Sequence, residues 1–132
     1  KYDPILVMDF ATLTGAASNA IGPHASVVMH KDAEIYLSSL KEYGEEVYER
    51  LIEFPLWDEY AELIKSDIAD VKNVGSKYGG AITAGKFLER FTDYPWIHFD
   101  IAGTAFLESR DSYRTAGATG VHVRLLMKYF GD

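Results

Sequence analysis

Two stretches of this chain share one design: an apolar run, an aspartate at or near its end, and a turn of threonine, glycine and alanine. The first is Ile5-Leu6-Val7-Met8 followed by Asp9-Phe10-Ala11-Thr12-Leu13-Thr14-Gly15-Ala16. The second is Trp96-Ile97-His98-Phe99-Asp100-Ile101-Ala102-Gly103-Thr104-Ala105. An uninterrupted apolar run suits a strand covered on both faces, as in the parallel sheets of α/β proteins. Open α/β sheets bind ligands in the crevice beyond the carboxyl ends of their strands, so the two turns are expected to line one crevice. The same residues also suit a plain βα turn, in which a threonine caps the next helix and Gly15 lets the chain bend tightly. A buried carboxylate must be hydrogen-bonded or paired, and on chemistry alone Asp9 and Asp100 are each candidate metal ligands.

Composition narrows the class. A chain of 132 residues with 48% hydrophobic and 14% aromatic residues fits one soluble domain with a sizeable core. A net charge of -7 argues against nucleic acid as a partner, because such binding rests on clustered lysine and arginine. The absence of cysteine excludes disulfides and thiolate metal sites and fits a cytoplasmic location. No apolar run approaches the roughly 18 residues that span a bilayer, so no membrane partner is expected. The chain begins with Lys1 rather than methionine, which fits a piece of something longer.

Between the two strand ends the pattern alternates between sheet and helix. Ala25 to Met29 reads as a strand flanked by His24 and His30, both ordinary strand-end histidines on this reading. Ala33 to Tyr43 reads as an amphipathic helix capped by Asp32 and stopped by Gly44, and Glu45 to Leu51 as a second short helix. Leu56 to Lys65 is helical in pattern, with Trp57 facing the core. Asp67 and Asp70 lie one turn apart; they suit a cation or an acid/base pair in principle, and capping of backbone amides more simply. Asn73 to Gly80 is a glycine-rich loop without a phosphate-binding ending. Ala81 to Phe91 is a helix with Ala81, Ala84 and Gly85 packed on the sheet and Phe87, Leu88 and Phe91 in the core, crossing over to a strand at Trp96 in a right-handed parallel unit. Leu107 to Thr115 reads as a polar loop with a place in subunit contacts, and Val121 to Phe130 as a final helix capped by Thr119.

The chain resembles the leucyl (cytosol) aminopeptidase family of metallopeptidases. Asp9 to Ala16 is similar to that family's D-x-A-T-L-T-G-A segment, and Ala20-Ile21-Gly22 to the A-L-G that comes after it. Pro55-Leu56-Trp57, Lys65-Ser66-Asp67-Ile68-Ala69-Asp70-Val71-Lys72-Asn73, Gly80-Ala81-Ile82-Thr83-Ala84, His98 to Thr104 and Gly117-Ala118-Thr119-Gly120 continue the match in order. The resemblance implies a three-layer αβα fold with a mostly parallel or mixed sheet, residues 1–132 being the carboxyl-terminal part of the catalytic domain. It implies release of amino-terminal residues such as leucine from peptides, with two divalent ions, zinc or manganese, in the complete enzyme.

The family's metal-binding N-T-D-A-E-G-R motif does not occur here. By resemblance, then, this chain alone holds no metal and no catalytic residue, and Asp9 and Asp100 orient the loops after them. The same resemblance assigns a substrate-binding role to Thr12, Leu13, Thr14, Gly15, Ala102, Gly103 and Ala105, with the Leu13 carbonyl receiving the substrate amide. The implied partners are a peptide substrate, the upstream half of the catalytic domain, and further copies of the chain, the family being hexameric. The alternative is a non-catalytic remnant or assembly module of the same fold.

Overall fold

The computed structural model describes residues 2–131. Its centre is a 4-stranded sheet in the order β1-β4-β2-β3, formed by β1 (Val7–Ala11), β2 (Ser26–Lys31), β3 (Leu51–Glu53) and β4 (Trp96–Asp100). β1 runs parallel to β4, β4 antiparallel to β2, and β2 parallel to β3, so the sheet is mixed.

Helices cover both faces, completing the three-layer αβα arrangement. On one face α2 (Glu34–Glu46) packs against α5 (Val123–Gly131). Leu37, Leu40 and Leu125 from these helices meet Val28, Ile97 and Phe99 from the sheet, all buried. On the other face α1 (Gly15–Ile21) packs against α4 (Gly80–Glu89). There Ala17 and Ala81 meet Val27 and Met29. Neighbouring residues Val27 and Val28 thus serve opposite faces, as the period of a strand requires. Full burial of a side chain such as Phe99 or Ile97 contributes about 1.5–3 kcal/mol.

Several expectations need correction. The run at Ile5 to Met8 is not a strand buried on both faces: β1 starts at Val7, lies at the sheet edge, and leaves Ile5 78% exposed. Asp9 therefore sits in the middle of the strand. The helix from Glu34 is not capped by Asp32, which is left-handed at φ 52, and it does not stop at Gly44 but runs through it. Gly44 is needed for close approach, because a Cβ there would lie 2.9 Å from the Glu49 carbonyl oxygen as the chain turns back. The next element is β3 rather than a second helix.

Only Glu59–Glu62 (α3) is helical in the next segment. Trp57 is 62% exposed and stacked on Tyr60, while Ile64 fills the core position. α4 buries Ala81, Ile82, Gly85 and Lys86 instead of its aromatic residues; Phe87 and Leu88 are half-buried and Phe91 is exposed. The strand before α4 is β3, which shares the direction of β2 and so runs opposite to β4, and the expected parallel crossover is absent from this connection. Finally, Phe106–Leu107 and Gly117–Ala118 pair as β5 and β6, and Thr119 does not cap α5; its hydroxyl donates to the Thr104 carbonyl at 2.7 Å.

Candidate functional site

Because β1 and β4 are parallel neighbours, their carboxyl ends point the same way. Ala11 stands opposite Asp100, and Ile101 N–H continues the ladder by donating to the Ala11 carbonyl at 2.9 Å. The turn at Thr12 to Gly15 and the turn at Ile101 to Ala105 therefore emerge side by side, as the sequence predicts for one crevice.

Asp100 fastens them together. Its carboxylate is 1% exposed. Oδ1 accepts from the backbone N–H groups of Leu13 at 3.2 Å, Thr14 at 3.4 Å and Ala102 at 3.2 Å, and Oδ2 accepts from the Thr14 hydroxyl at 2.7 Å. These donors satisfy the hydrogen-bonding needs of the buried carboxylate. Thr14 then accepts from Ala17 N–H at 3.0 Å, capping α1 as the simpler reading of this turn requires. One carboxylate and one threonine thus fix both turns and the start of the helix.

The other candidate residues fall around this bridge. Thr12, Leu13 and Gly15 are exposed, and Ala102 and Ala105 are half-buried in the facing turn. Gly103 has a packing role, because a Cβ there would lie 2.3 Å from the Gly22 carbonyl oxygen. Ala105 is held at both backbone groups, donating to the Ile101 carbonyl at 2.9 Å and accepting from Thr119 N–H at 3.0 Å.

Asp9 stands opposite His98, back from the strand ends. Its Oδ2 accepts from the Trp96 indole N–H at 2.7 Å, and its Oδ1 lies 2.6 Å from His98 Nδ1. The oxygens of Asp9 and Asp100 are committed to these contacts, which does not fit a metal held between the two strands. Asp67 and Asp70 are exposed in the α3–α4 loop, where Ser66 rather than either aspartate accepts from Ile68 and Ala69 N–H. His30 is more than an ordinary strand-end residue: its Nε2 lies 3.1 Å from Glu34 and 3.3 Å from Glu53. That cluster is at the opposite end of the sheet, since Lys31 pairs with Trp96 at the beginning of β4.

A second buried polar group was invisible to sequence reasoning. His122 Nε2 lies 2.8 Å from the Ser26 hydroxyl, which lies 2.7 Å from the Thr104 hydroxyl. Burial pushes the His122 imidazole down to about 4, so it is neutral at pH 7. No local pattern links residues this far apart in sequence; the only local sign is Gly120 two residues before His122, and both have positive φ.

Comparison with known proteins bears on the fold and the family of the chain. A probable cytosol aminopeptidase of Geobacter sp. (strain M21) is 51% identical over 130 residues, covering 98% of this chain and 26% of that protein. One from Roseiflexus castenholzii is 48% identical over 134 residues and is covered to 27% of its length. This chain thus spans about a quarter of the length of the curated relatives it matches. Among solved structures, a mutant of tomato leucine aminopeptidase superposes with a TM-score of 0.83 at 34% identity, over 95% of this chain and 24% of that one. The bottromycin maturation enzyme BotP in complex with Mn gives 0.87 at 30% identity, over 95% and 28%. The model of the cytosol aminopeptidase family catalytic domain matches residues 1–127, and the chain belongs to that family.

Proposed function

We propose that this chain forms the substrate-facing wall of a metal-dependent aminopeptidase that releases amino-terminal residues such as leucine. The observation that carries this reading is the Asp100 bridge, which holds the two strand-end turns in one fixed relation. Thr12, Thr14 and Gly15 on one side and Ala102 and Ala105 on the other contact the first side chain of the peptide. Small residues there leave space for an aliphatic group, and Gly103 keeps its turn close to Gly22. The Leu13 carbonyl accepts from the substrate amide. Family membership and the Mn-bound neighbour support the reading.

Two divalent ions, zinc or manganese, would polarise the scissile carbonyl and supply the nucleophile. The carboxylates of β1 and β4 are committed elsewhere, so no step through the metals is assigned to them. In this reading the ions, the catalytic residues and the remaining pocket come from the upstream part of the catalytic domain. The edge position of β1 supports such a partner. Ile5, Phe10 and Phe130 are exposed around an apolar groove that also includes Leu6, Met8 and Tyr129, and exposed apolar edges of this kind are normally covered. A cytoplasmic homo-oligomer completes the reading. No helix of the described residues is long and apolar enough to cross a membrane.

Hydrolysis of a leucine amide-type chromogenic substrate with added manganese or zinc tests this. The chain is assayed alone and mixed with the upstream segment of the Geobacter relative. Activity in the mixture only is expected. Activity of the chain alone contradicts the assignment of catalysis elsewhere, and an inactive mixture whose parts demonstrably associate favours a non-catalytic assembly module.

A further inference from the structure

A cleft between the start of β2, the β4–β5 loop and the start of α5 is rich in arginine, although the chain carries a net charge of -7. Arg50, Arg114 and Arg124 line it, with Ser26, Thr104 and His122 among the other residues, around about 360 Å³ of open space. Arg114 is paired with Asp111, and Arg124 with Glu49 at 3.2 Å. The second oxygen of Glu49 accepts from Leu125 N–H at 2.9 Å, so that buried carboxylate is fully engaged.

Arg50 differs. Among the described residues no carboxylate lies within ion-pair distance of it. Its guanidinium rests 4.5 Å over the Tyr48 ring, and its Nε is buried with no partner among the described residues. A second lining residue shows the same deficit: His122 is 1% exposed, and its Nδ1 has no partner among the described residues either. Buried polar atoms are rarely left unpaired, and those that are often await a ligand or water. A guanidinium without a counterion matches the bidentate geometry of carboxylate and phosphate oxygens.

We propose that this cleft binds a small oxyanion, a carboxylate or phosphate group, held by Arg50 with Arg114 and Arg124 at its rim. The cleft is small, which favours a small ion over a nucleotide. The lining includes Thr104 but none of Thr12 to Gly15, Ala102 or Ala105, so the cleft adjoins the proposed substrate wall and is distinct from it.

Isothermal titration with inorganic phosphate, and separately with acetate, tests the proposal at an ionic strength held constant with sodium chloride. Saturable one-to-one binding of at least one ion is expected, and the tighter of the two identifies the group. Arg50→Gln weakens it by roughly tenfold or more. Arg110→Gln, at an exposed arginine outside the lining, leaves it unchanged. Absence of saturable binding, or wild-type affinity in Arg50→Gln, overturns the proposal. Should Arg50→Gln fail to fold, amide spectra of the wild-type chain decide. Anion-dependent shifts confined to the surroundings of Ser26, Arg50 and His122 support the site, and scattered or absent shifts refute it.

Discussion

Asp9 spends its oxygens on side chains of the neighbouring strand, Trp96 and His98, whereas Asp100 spends its oxygens mainly on the backbone of two turns. The two residues occupy adjacent parallel strands and similar sequence surroundings. What separates them is register. Asp9 faces His98 in mid-strand, and Asp100 faces Ala11 where the ladder ends and amide groups turn inward. In mid-strand Asp9 reaches the side chains of the neighbouring strand, where no turn brings free backbone N–H groups toward it. At a strand end it can organise a loop, and that makes Asp100 the residue on which the proposed substrate wall depends.

Removing the two carboxylates should separate these roles. Asp100→Ala leaves part-buried donors at Leu13, Thr14 and Ala102 without their acceptor and empties a buried position, and should cost roughly 3–5 kcal/mol in urea denaturation. The amide signals of both turns should move together. Asp9→Ala, at a carboxylate that is 36% exposed, should cost roughly 1–3 kcal/mol and alter Trp96 fluorescence while leaving those turns in place. Equal costs, or turn signals that move equally in both variants, would erase the distinction drawn here.

His122 provides a contrast on the opposite face of the sheet, as a polar residue held neutral. The unfolded imidazole takes up a proton near pH 6.5, and the folded one only near 4. The contribution of His122 to stability should therefore be constant above about 6.5, fall as pH drops from there to about 4, and level off below. The total loss is on the order of 3 kcal/mol. His122→Asn, which tolerates the positive φ at this position, should flatten this slope when denaturation is repeated between pH 4 and 7. The smallest expected effect is at Thr14. Thr14→Ala removes the cap on Ala17 N–H and one bond to Asp100, for about 1 kcal/mol, and Thr14→Ser should restore most of it.

The parts of this molecule that are legible in the sequence are those where local chemistry and fold agree. Strand, aspartate, threonine and glycine in succession predict the β1–α1 turn and capping by a threonine, which the structure assigns to Thr14, and the second copy of that pattern predicts the facing turn. Trp57 departs from its pattern because periodicity alone puts it on an inner face, whereas the segment forms only a short helix and Ile64 takes the core position. Gly44 reads as a helix stop, but it answers to a contact with Glu49 that no local rule contains. The direction of β4 relative to β3 depends on sheet pairing, and periodicity carries no sign for it. The Ser26, Thr104 and His122 contacts join residues separated by 78 and 96 positions, beyond any local pattern.

Side-chain selectivity of the active combination of this chain with its upstream segment is the most direct test of the substrate wall. kcat/KM is measured for alanine, leucine and phenylalanine amide-type substrates before and after Ala105→Leu. Filling the proposed wall should lower the leucine and phenylalanine values by roughly tenfold or more while changing the alanine value far less. A uniform change across the series, or none, would contradict the placement of the first side chain against the ends of β1 and β4.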